Sequence, residues 1–364
     1  MKKSVPILLL IFLISTCLFS QERGFKVIAK TSDGEIINLY KECYALVIGI
    51  SDYLFGWPDL PNAVYDANEI GDLFSNLGFK ITKVINPTRA ELIQALDDFI
   101  FGPGQEKDSC LVMFFAGHGH TERLAYGDDM GYLVPIDAPS PDRDMSGFKQ
   151  KAIDMHTIEA YARRIEAKHA LFLFDSCFSG AIFNMSRARP PAYISYKTGR
   201  QVRQFITAGG ADETVPDKSI FKGQLIEALQ GEADRNEDGY VTGTELGEFL
   251  QEKVVIYSYE SQHPQYGKIR DPSLDKGDFV FKLGSKPYKA KPEIGYGYLL
   301  ISSYPPAEVE IDEKLYRVAP PLLEVKLPEG IHTIKFFHKE LKIEKTIVIE
   351  LLKGERKRIH ERFD

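Results

Sequence analysis

The chain has 364 residues, 44% hydrophobic and 27% charged, an ordinary globular composition with room for two domains. A formal charge of −7 argues against a nucleic-acid binder, which carries a basic surface, so no nucleic-acid partner is expected.

The first twenty residues, MKKSVPILLLIFLISTCLFS, set two lysines before an apolar run and then small or polar residues. This reads as a signal peptide over 1–20, removed after Ser20, with the mature protein in the periplasm, outside the cell or at its surface. The apolar run is short for a stable membrane span. Cys17 in Leu-Ile-Ser-Thr-Cys offers an alternative, lipoprotein anchoring, although Thr16 and the apolar Leu18-Phe19 depart from that pattern. Simple cleavage leaves Cys43, Cys110 and Cys177. Cys43 and Cys110 each start an apolar strand and read as two buried thiols. A disulfide between them needs adjacent strands in register and is not expected. Cys177 is the one left over with suggestive surroundings.

Residues 24–40 alternate around Asp33-Gly34, a hairpin signal that predicts an N-terminal β-ribbon over 21–41. Apolar strands then alternate with amphipathic helices: a strand at 43–51, a helix over 61–77, a strand at 79–85 and a helix over 88–100. A third strand at 110–117, a helix near 154–166 and a fourth strand at 169–175 follow. Continuous apolar strands separated by helices imply a mostly parallel sheet covered on both faces, with its site at the carboxyl ends of the strands. Beyond an Arg/Pro-rich loop at 186–204 come a strand start at 205, helices at 219–230 and 245–255, and a last short strand at 277–281. These elements define a domain over 42–283. The Lys/Pro segment 284–295 is a linker by composition. Residues 296–364 switch to period two between Pro and Gly turns, which predicts a small β-sandwich domain.

The strand at 110–117 ends in Ala-Gly-His-Gly and the strand at 169–175 in Asp-Ser-Cys. In a parallel sheet both carboxyl ends share one edge, so His118 and Cys177 can meet across 59 positions. An adjacent imidazole takes the proton of a thiol and holds the thiolate, the reactive form. Gly117, Gly119 and Gly180 permit close backbone approach, and the N–H groups of Gly119 and Cys177 are candidate oxyanion donors for acyl transfer. Either residue alone is as well explained by structure: a histidine closing a strand, a cysteine filling core. Their joint placement at matching strand ends, each beside glycine, points to chemistry.

Asp66 falls on the apolar stripe of its helix, with Ala63, Ile70 and Leu73. A carboxylate there either caps the first turn, which the helix dipole favours, or serves a pocket. Asp175 stands two residues before Cys177. Two carboxylates converging on one pocket would select a cation, placing Arg or Lys before the scissile bond.

FFAGHGH and FDSCFSG resemble the His and Cys motifs of the caspase-like cysteine peptidases, especially the metacaspases and their bacterial relatives. The resemblance extends through YALVIGISDY (44–53), LPNAVYDA (60–67), GYLVPIDA (131–138) and the segment from ITAGG to GDFVF, roughly residues 40 to 282. It implies an α/β fold, the caspase-like α/β/α sandwich with a mostly parallel sheet. It also implies a cysteine-type endopeptidase with His118 as general base, Cys177 as nucleophile and no organic cofactor. Its substrates would be proteins or peptides cut at basic residues held by Asp66 and Asp175. Aspartate-cutting caspases have glutamine where Asp175 stands. Phe178 replaces a histidine frequent after the metacaspase cysteine, and Ala116 a pocket serine of some members; both leave subsite preference open. Ser176 is unassigned. Arg187, Arg189, Arg200 and Arg203 lie in the 186–204 loop, which reads as an exposed linker or as a self-cleavage segment of the kind that divides some family members.

Residues 234–245 place Asp234, Asn236, Asp238, Gly239 and Glu245 at positions 1, 3, 5, 6 and 12 of an EF-hand loop, with Tyr240 supplying its carbonyl. Bound Ca²⁺ is one expectation; a loop closed by its own Asx turns is the other. The tail, with LLISSYPPAEVEID and LPEGIHTIKF, resembles a PEGA domain and implies a cell-envelope partner. His332 and His338 read as surface residues there. The rival to the peptidase reading is an inactive caspase-like scaffold whose working part is this envelope-binding tail.

Overall fold

The computed structural model describes residues 27–30, 34–177, 194–195, 198–210, 213, 218–284, 296–312, 314–316, 323–339 and 341–363. The chain divides into two compact units, Met1–Tyr288 and Lys289–Asp364.

The first unit opens with an antiparallel ribbon of β1 (Val27–Lys30) and β2 (Ile36–Tyr40). Then come β3 (Glu42–Gly49), α1 (Ala63–Asn76), β4 (Lys80–Ile85), α2 (Arg89–Phe101) and β5 (Ser109–Ala116). A hairpin of β6 (Gly119–Arg123) and β7 (Asp129–Leu133) precedes α3 (Pro141–Lys151), β8 (Ile153–Asp154), α4 (Met155–Arg164) and β9 (His169–Cys177). The unit ends with β10 (Val202–Gly209), α5 (Ile220–Glu227), β11 (Tyr240–Thr242), α6 (Gly243–Tyr257), β12 (Gln265–Lys268) and β13 (Val280–Lys282).

Six strands form one sheet in the order β12-β10-β9-β5-β3-β4, parallel except for β12. Every residue of β5 and of β10 is buried, as continuous apolar strands covered on both faces require. Alternate side chains feed two cores. Ala45, Val47, Val112, Phe114, Leu171 and Leu173 pack with α1, α5 and α6; Leu46, Ile48, Met113, Phe115, Phe172 and Phe174 pack with α2 and α4. The result is a caspase-like α/β/α sandwich.

Local chemistry sets the helix ends. Thr88 and Glu91 form a capping box at α2, and Thr242 and Glu245 another at α6. At α1 the N-cap, Asn62, makes no side-chain cap; instead Ser51 Oγ, just past β3, accepts the Val64 N–H at 3.1 Å. Gly49 allows this close approach, because a Cβ there would lie 2.6 Å from the Cβ of Ala67.

Several elements differ from expectation. The hairpin β6–β7, which was not foreseen, pairs with β8 in a separate three-stranded sheet, and the short last strand β13 pairs with β11. Cys43 and Cys110 are joined by a disulfide, against the expected pair of buried thiols. They are direct partners in the β3–β5 ladder, with Cα atoms 4.7 Å apart, so the in-register condition is met.

The second unit holds β14 (Tyr296–Tyr304), β15 (Glu308–Ile311), β16 (Lys314–Tyr316), β17 (Leu323–Pro328), β18 (Gly330–His338), β19 (Ile343–Leu351) and β20 (Arg356–Arg362). They form two sheets, β17-β14-β20 and β16-β15-β18-β19, around a core including Leu299, Ile301, Val309, Ile334 and Phe336. His332 and His338 are buried, correcting their assignment as surface residues. His332 Nδ1 lies 2.6 Å from Asp312 Oδ2 and its Nε2 2.7 Å from the Pro328 carbonyl, so burial is compensated at both ring nitrogens. Among the described residues no helix is long and apolar enough to cross a membrane.

Candidate active site

The β5–β9 ladder brings the two motif strands level. Ala116 pairs with Asp175, so His118 and Cys177 each stand two residues beyond a matched pair. Gly49 flanks Ala116 on β3, and Gly209 flanks Cys177 on β10. The carboxyl ends of β3, β5, β9 and β10 therefore converge at one edge, where open parallel sheets bind ligands. The backbone of Cys177 closes β9. Its thiol lies outside the described residues, as do Phe178, Gly180, Arg187 and Arg189.

His118 is held from three sides. Its backbone N–H donates to the Tyr53 hydroxyl at 2.7 Å, and its Nε2 lies 2.8 Å from the Pro58 carbonyl oxygen. A carbonyl only accepts, so Nε2 carries the ring proton and Nδ1 keeps its lone pair for a proton from elsewhere. The rings of Tyr53 and Trp57 pack at 4.7 and 5.0 Å between centroids. Burial pushes the Tyr53 hydroxyl well above its usual range, so it stays protonated. A Cβ at Gly117 would stand 2.9 Å from that hydroxyl oxygen, which is why glycine precedes His118. Tyr53, Trp57 and Pro58 are site residues that pattern reading missed, because their loop carries no periodic signal. Gly119 begins β6.

The two acids do come together. Asp66 and Asp175 are 3% and 5% exposed, and the Asp175 charge disfavours ionisation of Asp66. Asp66 does not cap α1; its Oδ1 lies 3.2 Å from Lys222 Nζ of α5. The same ammonium lies 2.7 Å from Oε2 of Glu69, one turn along α1. Burial, then the Asp175 charge, holds the Asp66 carboxyl above its usual range against the pull of Lys222. Burial raises Asp175 to about 6, opposed by the Ser219 hydroxyl and the Lys222 charge. Neither carboxylate oxygen of Asp175 has a hydrogen-bond partner of good geometry, and the Ser176 hydroxyl is likewise buried and unpartnered. Glu69 and Lys222 were not foreseen. They are 153 positions apart, and nothing local in the sequence joins them.

At the end of β10, Glu213 accepts the Gly210 N–H at 2.7 Å and the His263 N–H at 2.8 Å, and pairs with His263 Nδ1 at 2.5 Å. Burial works against its charge, but these donors outweigh it and hold its carboxyl below the usual range. Arg203 is corrected from the loop into β10. It is fully buried, donating to the carbonyls of Ala162, Lys168, Val202 and Ile165, and so is unavailable for cleavage. Arg200 is exposed in the preceding turn.

The 234–245 loop keeps its acids together but inwardly satisfied. Asp234 accepts from the N–H groups of Asp238 and Gly239, Asn236 from Asp238, and Asp238 from Tyr240. Gly239 has φ +83°, the left-handed turn its position demands. Glu245 Oε2 accepts from the Thr242 N–H and hydroxyl, both at 2.8 Å, and Asn236 Nδ2 donates to its Oε1 at 3.4 Å. Burial raises Glu245 to about 7. Among the described residues, no three His, Cys, Asp or Glu side chains are grouped closely enough to hold a metal ion.

The caspase-domain family model matches residues 42–276, about two thirds of the chain. Over 139 residues, 38% of this chain, it is 28% identical to the mouse mucosa-associated lymphoid tissue lymphoma translocation protein 1 homolog. The human protein of that name matches to the same extent. The shared segment spans only 15% of the length of those relatives. Among solved structures, the Drosophila initiator caspase Dronc aligns over 71% of this chain and 93% of its own, with 15% identity and a TM-score of 0.44. Protein GSU0716 from Geobacter sulfurreducens aligns over 65% and 97%, with 16% identity and a TM-score of 0.42. The chain belongs to the caspase-domain family of peptidases.

Proposed function

We propose that this protein is an exported cysteine-type endopeptidase that hydrolyses peptide bonds after Arg or Lys, with Cys177 as nucleophile and His118 as general base. The observation that carries the reading is the level placement of these residues at neighbouring parallel strand ends, with His118 tied through Nε2 to Pro58. In this reading Nδ1 takes the thiol proton, and the thiolate adds to the carbonyl carbon of the basic residue. The N–H groups of Gly119 and Cys177 hold the resulting oxyanion. His118 returns the proton to the departing amine as the C–N bond breaks. Water then releases the acyl group from sulfur, with His118 again accepting a proton.

Asp66 and Asp175 are the acids we assign to the substrate's basic side chain; their convergence supports this. Export is supported by the leader sequence and by the Cys43–Cys110 disulfide, a bond that persists in oxidising compartments. Self-cleavage, if it occurs in the 186–204 segment, falls to Arg187, Arg189 or Arg200. We assign the tail as a PEGA-like module for a cell-envelope partner.

The donor set of the 234–245 loop is all oxygen, the kind that Ca²⁺ takes, although its acids now face the loop's own donors and are not grouped as a metal site. Asp234, Asn236, Asp238 and the Tyr240 carbonyl would hold it, with Glu245 once its carboxylate leaves the helix cap. Bound there, Ca²⁺ would tie the loop together and supply no chemistry to hydrolysis. Millimolar Ca²⁺ should then raise the melting temperature of the wild type but not of Asp238→Ala.

The deciding experiment is a fluorogenic peptide panel differing only in the residue before the cut, run with wild type and Cys177→Ala. Hydrolysis after Arg and Lys that vanishes in Cys177→Ala is expected. Hydrolysis after Asp would sink the acid-pocket assignment, and hydrolysis indifferent to Cys177→Ala would sink the nucleophile.

A further inference from the structure

The pocket assigned to a substrate cation already contains one. Lys222 Nζ stands between Glu69 Oε2 at 2.7 Å and Asp66 Oδ1 at 3.2 Å, over the Tyr65 ring at 5.4 Å from its centroid. Its side chain is only 12% exposed, so this is a buried ion cluster and not a surface pair. Asp175, which also feels the Lys222 charge, presents two buried carboxylate oxygens without a hydrogen-bond partner of good geometry. A second cation entering beside Asp66 and Asp175 meets the like charge of Lys222 at close range, where a partly dry site screens poorly.

The two Lys222 contacts are unequal. The shorter is to Glu69, and the longer is to Asp66, the acid electrostatically coupled to Asp175. Lys222 sits in the first turn of α5, its backbone N–H fixed by the Ser219 hydroxyl at 2.8 Å. Its four-carbon stem can move the ammonium without moving the helix. An arginine guanidinium is planar and forked, suited to bridging two carboxylates.

We propose that Lys222 is a tethered competitor of the substrate's basic side chain: its ammonium occupies the pocket in the resting protein, and falls back onto Glu69 when a guanidinium or ammonium takes Asp66 and Asp175. Lys222 is thus a specificity-determining residue that sets the threshold for admitting a basic side chain. This rests on the reading of Asp66 and Asp175 as the substrate pocket.

The test measures KM and kcat for matched peptides carrying Arg or its neutral isostere citrulline before the cut. Lys222→Met should lower KM for the Arg peptide about tenfold, and by clearly more than for the citrulline peptide. Lys222→Arg, whose fork grips both acids, and Glu69→Gln, which removes the fallback partner, should each raise KM for the Arg peptide at least threefold. These two conservative variants decide the matter if Lys222→Met does not fold. An unchanged KM in Lys222→Arg and Glu69→Gln, or a raised KM in Lys222→Met, overturns the competitor role while the pocket assignment stands. Equal hydrolysis of the Arg and citrulline peptides by wild type overturns the pocket assignment, and the competitor role with it.

Discussion

Nε2 of His118 lies 2.8 Å from the carbonyl oxygen of Pro58, so a main-chain atom selects the imidazole tautomer. Because the acceptor is backbone, Pro58→Ala should retain most activity. The Tyr53 hydroxyl is different, since only a side chain offers that acceptor to the His118 N–H. Tyr53→Phe should lower kcat about fivefold with little change in KM, matching the roughly 1 kcal/mol of one lost hydrogen bond. An unaltered kcat in Tyr53→Phe would show that the hydroxyl does not position His118.

Asp175, raised to about 6 mainly by burial, is neutral in acid and charged at neutral pH. Its share of the attraction for a basic side chain is absent below that value and develops above it, and the share of Asp66, raised to about 8, develops higher still. KM for an Arg peptide should therefore fall as pH rises through about 6, and Asp175→Asn should flatten that step. Stability runs the other way. The native state binds this proton more tightly than the unfolded chain does, so ionisation progressively penalises folding between about pH 4 and 6. Parallel titrations of KM and melting temperature check both signs.

The Cys43–Cys110 link closes a separation of 67 residues. Replacing both cysteines with alanine should cost up to about 4 kcal/mol, read from denaturant unfolding. Intact-mass analysis with and without reductant should reveal the bond directly. A double variant as stable as wild type would contradict a structural role for the link.

In the second unit, His332 is opposed by its burial but gains more from Asp312, so its pKa is raised; Asp312 is correspondingly depressed. The pair contributes fully between those limits. The His332 share is complete below its unfolded value near 6.5 and is lost as pH rises through the raised folded value. The Asp312 share is lost as pH falls through the depressed one. The Thr333 N–H, which donates to Asp312 Oδ1 at 2.9 Å, should lose protection from hydrogen exchange at alkaline pH, beyond the intrinsic rate. Asp312→Asn should remove that dependence.

What was legible in the sequence was what short-range pattern encodes. Continuous apolar strands such as 110–117 and 169–175 announce a parallel sheet, and the sheet's geometry then makes two distant strand ends neighbours. Asp66 on an apolar stripe was equally visible, because a carboxylate there demands a partner. The partner was not visible. Lys222 reads as an ordinary lysine in a helix's first turn, and only tertiary packing sets it against α1. The disulfide escaped for the same reason, since register between β3 and β5 depends on α1, β4 and α2 in between. The β6–β7 hairpin is half-buried and polar, as in Gly-His-Thr-Glu-Arg, which leaves little alternation to detect. Both tail histidines look solvent-facing until β18 folds one face into its core.

The protein contains one tryptophan, Trp57, and its ring packs beside that of His118. Intrinsic emission excited selectively at long wavelength therefore originates beside His118 and nowhere else. A protonated imidazole quenches an adjacent indole, so the state of the His118 ring is optically readable in the untagged protein. Substrate entry, thiol alkylation and His118→Ala each become spectroscopic events that need no introduced label, and a stopped-flow trace can time them against product release.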